Sequence, residues 1–98
     1  MDLPTPTAAA RRNLAQRINR LLDDAERGGW ETNRLVCALV VKALGHLDAD
    51  ECREGEAVML DAERAVEIPT PEMAKVGPAP FTVGMLRERL DRVLRAKA

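Results

Sequence analysis

The chain of 98 residues contains no serine and no tyrosine, and only one histidine, one phenylalanine and one tryptophan. Without serine a Ser-His-Asp hydrolase is excluded, and Cys-His catalysis would have to join His46 to Cys37 or Cys52. No apolar run approaches the length of a membrane span. The opening MDLPTPTAAARR lacks the basic start and apolar stretch of a secretory signal, so the expectation is a cytoplasmic protein without a membrane partner. In that setting the two cysteines are read as thiols, not as a disulfide.

The chain also lacks a phosphate-cradling glycine pattern and any CxxC or HxxxH spacing. Cys37, His46 and Cys52 supply three soft ligands at most, and a zinc site would need a carboxylate such as Asp48 or Asp50 to join them. This is the remotest reading, a metal or thiol protein. The stretch DADECREGE has Arg53 where a calcium loop needs glycine. No cofactor is expected.

Alanine, leucine and arginine dominate what is present, and they favour helices. The pattern predicts a single all-α domain over residues 1–98: a four-helix arrangement with helices at about 6–27, 33–45, 49–67 and 83–96. The first starts behind Thr5, with Pro6 at its first position, and ends at Gly28 and Gly29. Its residues Leu14, Ile18, Leu21, Leu22 and Ala25 make one apolar face. The second helix, capped by Thr32 or Asn33 and ended by Gly45, is apolar nearly all round from Leu35 to Leu44, and is expected at the centre of the fold. Asp48 and Glu51 have the spacing of a capping box for the third helix, with Leu47 and Cys52 as a staple across it. Gly55, inside that helix, signals close approach by a neighbour. The connector at 68–81, IPTPEMAKVGPAPF, is rich in proline, with a single helical turn allowed at Thr70 and Pro71. Phe81 before Thr82 and Leu86 beyond it then staple the start of the last helix.

The 15 basic and 16 acidic residues nearly cancel, yet they are unevenly placed. Residues 1–44 carry seven basic and five acidic groups, 45–75 carry three and nine, and 76–98 carry five and two. Basic outer helices thus flank an acidic middle. Glu56, Glu63 and Glu67 fall in one stripe of the third helix with Leu60 beside them, a face suited either to solvent or to a basic partner. Arg11, Arg12, Arg17 and Arg20 crowd the first helix, without interleaved aromatics for stacking on bases. Trp30, in the turn after the first helix, is read as a plug for the core or an anchor for a partner, and Phe81 as an apolar contact presented by the connector.

The functional expectation rests on exclusion. A non-enzymatic protein-interaction module is expected, acting stoichiometrically as a small inhibitor, adaptor or assembly factor, with Trp30, Glu56, Leu60, Glu63, Glu67 and Phe81 as its partner-binding candidates. Small arginine-rich helical chains of this kind are common in mobile elements and phage. The alternative is a nucleic-acid-associated regulator using Arg11, Arg12, Arg17 and Arg20. A homodimer is the expected alternative to a monomer, because four modest helices struggle to cover an apolar central one.

Overall fold

The computed structural model describes residues 6–30, 33–67 and 81–96, with residues 6 and 7 described through their backbone alone. The expected cap at Thr5, the alternative start at Thr32 and the connector at 68–80 lie outside the described residues. Within them the fold is all-α, with four helices and no ladder of strands: α1 (Pro6–Gly28), α2 (Arg34–Asp48), α3 (Cys52–Glu67) and α4 (Val83–Ala96).

Each junction follows from local chemistry. At the end of α1, Gly29 has φ +77°, the left-handed conformation that glycine adopts without penalty. Trp30 N–H then donates to the Ala25 carbonyl at 2.7 Å and Gly29 N–H to the Glu26 carbonyl at 3.3 Å, which closes a Schellman motif. Asn33 starts α2 by accepting from the amides of Leu35 and Val36 at 3.0 and 3.2 Å. Thr82 Oγ1 does the same for Met85 at 3.3 Å, with Phe81 before it half-buried and packed on the core and Leu86 beyond it buried.

The junction of α2 and α3 departs from the sequence expectation. Gly45 does not end α2, which continues another turn to Asp48. The extra turn buries Leu47 completely, and that gain outweighs the roughly 1 kcal/mol cost of a glycine inside a helix. Asp48 is therefore the last residue of α2, and no capping box with Glu51 forms. The reversal falls instead on Asp50, at φ +60°, a conformation that aspartate tolerates better than most residues. Glu51 N–H donates to the His46 carbonyl at 2.7 Å and Asp50 N–H to the Leu47 carbonyl at 3.2 Å, a second Schellman motif. The apolar contact that usually bridges such a motif is replaced by the side chains of His46 and Glu51, 3.1 Å apart.

Arg11 and the α2–α3 turn show that α1 and α2 run antiparallel: its guanidinium donates to the Leu47 carbonyl at 2.9 Å and pairs with Asp50. A Cβ on Gly55 would lie 2.5 Å from Leu14 Cδ2 and 3.3 Å from His46 Cβ, so α3 approaches both earlier helices there, as its glycine implies. α4 begins against α2, where the Cys37 thiol donates to the Phe81 carbonyl at 3.5 Å. It then leans on α1 through Arg87, which bonds Asn19 at 2.6 Å and pairs with Asp23.

The core gathers Leu14, Ile18, Leu21 and Leu22 from α1, Val36, Val40, Leu44 and Leu47 from α2, Met59 from α3, and Leu86 from α4. The central position is shared: α1 and α2 each pack against all three other helices, while α3 and α4 make no substantial contact with each other. α2 is also less enclosed than its composition predicts. Leu35 and Ala38 are exposed and Leu39 and Val41 half-buried, because three neighbours cover only the side that carries Val36, Val40 and Leu47.

Candidate partner-binding surface

α1 and α3 run side by side in the same direction, with Leu14 beside Gly55 and Arg17 beside Glu63. Arg17 makes two parallel bonds to the Glu63 carboxylate, Nη2 to Oε1 at 2.6 Å and Nε to Oε2 at 3.2 Å. The hydrogen bond to Glu63 holds the Arg17 guanidinium more firmly in its charged form; partial burial opposes this, and the charges of Glu63 and Glu56 add to it. One turn further along, the two helices leave a shallow groove of about 530 Å³ lined by Leu21, Asp24, Glu63, Val66 and Glu67.

The groove has an apolar floor and acidic walls. Leu21 is buried and Val66 half-buried, while Asp24 from α1 faces Glu63 and Glu67 from α3. Asp24 pairs with Arg27 on its own helix, and Glu63 with Arg17. Glu67 is exposed and makes no ion pair among the described residues. Leu60 stands beside this wall, 57% exposed, the most exposed of the large apolar side chains described. A lysine or arginine side chain laid in the groove would rest its aliphatic stem on Leu21 and Val66 and its cationic end among three carboxylates.

Of the candidates read from sequence, Glu56, Leu60, Glu63 and Glu67 share one side of α3, and Glu63 and Glu67 line the groove. Trp30 and Phe81 do not. Trp30 is half-buried at the α1–α2 turn, packed on the core and so near Gly28 that a Cβ there would lie 2.9 Å from the indole Cδ1. Phe81 is half-buried too, and Arg89 lies over its ring at 5.2 Å from the centroid. The groove residues that sequence reasoning missed are Leu21, Val66 and Asp24. Leu21 was read only as core. Asp24, three residues beyond it, carries the one available signal: an acid at the edge of an apolar stripe.

The arginines read as phosphate contacts divide into two pairs. Arg11 and Arg17 are bonded within the fold, to Leu47 and Asp50 and to Glu63, whereas Arg12 and Arg20 are exposed. Cys37 and Cys52 are both buried, His46 faces Glu51, and no group of three histidine, cysteine or acidic residues among those described is placed to hold a metal ion. Burial pushes the Cys37 thiol up from its ordinary range. It does the same for Cys52, where nearby Arg11 opposes the effect and Asp50, Glu56 and Glu54 reinforce it.

No protein-family model matches this chain, and no curated protein or solved structure matches it either. Among the described residues no helix is long and apolar enough to cross a membrane.

Proposed function

We propose that the protein is a non-enzymatic interaction module of the cytoplasm, a small inhibitor, adaptor or assembly factor, whose α1–α3 face receives a basic segment of another protein. The observation that carries this reading is the groove of Asp24, Glu63 and Glu67 over Leu21 and Val66, with Leu60 exposed at its side. An apolar anchor beside a charged slot combines the two ingredients of specific recognition: desolvated apolar contact for affinity and complementary charge for register and encounter rate.

The reading leads to a particular choice of variant. Reversing Glu63 would strand Arg17 and disturb the fold, so Leu60 and Glu67, exposed and outside that pair, are the residues to change. With the partner captured from the native host and purified, Glu67→Lys and Leu60→Asp are each expected to weaken the complex about tenfold, while the thermal midpoint of the free protein stays near wild type. Wild-type affinity in both variants removes this face from consideration.

The nucleic-acid reading gains no specific support, since half of its arginines are bonded inside the fold. Binding to DNA or RNA that falls steeply with added salt and is lost in an Arg12→Ala, Arg20→Ala double variant would restore it.

A further inference from the structure

The outward face of α4 carries charges that no other described residue answers. Arg11, Arg17 and Arg87 each bond another helix, but Glu88, Asp91, Arg92 and Arg95 are exposed and make no ion pair among the described residues. Met85 stands in the same face, 48% exposed. Met85, Glu88, Arg92 and Arg95 are spaced by three, four and three residues, the spacing of a seam between two helices, and they lie opposite the buried Val83, Leu86 and Leu90. The seam shares no residue with the α1–α3 groove.

The seam is complementary to itself in one orientation only. Placed antiparallel about a two-fold axis at the level of Leu90, Glu88 meets the partner's Arg92 and Met85 meets the stem of the partner's Arg95, each layer occurring twice. Gly84, where a Cβ would meet only Thr82 Oγ1 at 3.8 Å, then faces the partner's Ala96, so the helix ends can approach. Parallel pairing would set Arg92 against Arg92 and Glu88 against Glu88, and like charges oppose it.

We propose that α4 is a self-association surface whose occupant is the α4 of a second copy, joined antiparallel through the Glu88 and Arg92 layers. A seam of 14 residues spans about 21 Å and buries less than a permanent dimer needs, so the dimer exchanges with monomer and weakens with salt. The surface is independent of the α1–α3 groove.

Sedimentation equilibrium of the full chain, over a concentration series at low and high salt, tests it. The wild type is expected to show a monomer–dimer equilibrium that added salt shifts toward monomer. Glu88→Arg and Arg92→Glu each set like charges together in both layers and should weaken dimerisation about tenfold. The double variant E88R/R92E should recover it, and an equimolar mixture of the two single variants should form a heterodimer tighter than either homodimer. Pairing of Glu88 with Arg92 inside one helix predicts no such heterodimer. A monomer at every concentration, or single variants that dimerise as well as wild type, overturns the proposal; circular dichroism of each variant establishes that it is folded.

Discussion

Gly45 and Gly55 are both glycines inside helices, and the structure gives them opposite roles. Gly45 faces open space, with nothing within 4 Å of where a Cβ would stand. Gly45→Ala should therefore raise stability by about 0.5–1 kcal/mol through helix propensity and a less flexible unfolded chain. Gly55→Ala brings the same propensity but drives its Cβ to 2.5 Å from Cδ2 of the fully buried Leu14 and 3.3 Å from His46 Cβ, so that Leu14 must shift within the core. Overpacking should win there and lower stability by about 1–2 kcal/mol. Chemical denaturation of the two variants measures both signs. The sequence showed that Gly55 needed a reason, since a glycine within an amphipathic helix is costly. It misled at Gly45, because the reward for continuing the helix, the burial of Leu47, depends on helices that the local pattern does not display. The two thiols give a pH prediction at the same scale. Burial raises both native thiols, so the folded state holds these protons more tightly than the unfolded one, and the associated stability is present at neutral pH and below. It is lost as pH rises above the ordinary thiol range and through the raised native values. Between neutral pH and mild alkali the wild type should thus lose more stability than a Cys37→Ala, Cys52→Ala variant, as denaturant midpoints at each pH will report.

At the scale of elements, most helix ends were legible and the α2–α3 junction was not. Asn33 and Thr82 cap by contacts within three residues, and such contacts are written in the local sequence. The stop of α2 is not local. It uses Asp50 in a left-handed conformation where glycine is usual, and Arg11, 39 residues away in sequence, bonds both that aspartate and the Leu47 carbonyl. Arg11 and its neighbour Arg12 look alike in the sequence but should behave differently. Arg11→Ala removes the bonds from its guanidinium to the Leu47 carbonyl and to Asp50 and should cost about 1–2 kcal/mol. Arg12→Ala, on the exposed side of α1, should change stability by less than about 0.5 kcal/mol. Thermal unfolding of the pair checks the contrast.

At the scale of the whole molecule, the division of charge along the chain became cross-helix bonding. Arginines of the basic helices α1 and α4 bond acids elsewhere in the fold, Arg11 to Asp50 of the α2–α3 turn, Arg17 to Glu63 and Arg87 to Asp23, so much of the charge is used internally. Acidic α3 was recognisable as a stripe, but the groove was not, since Asp24 meets Glu63 and Glu67 only through the register of α1 on α3. That register is set at Gly55 and Leu14, two turns from the groove. What remains exposed includes an acidic slot with Leu60 beside it and the mixed charges of α4. The central claim is that another protein occupies the first of these. Site-specific photo-crosslinking in the native host tests it most directly, with the crosslinking residue placed at Leu60 in one variant and at Gln16, an exposed position of α1 outside the groove, in another. The account predicts one discrete adduct with another protein from position 60 that position 16 does not give and that Glu67→Lys diminishes. The same adducts from both positions, or none from position 60, would contradict it.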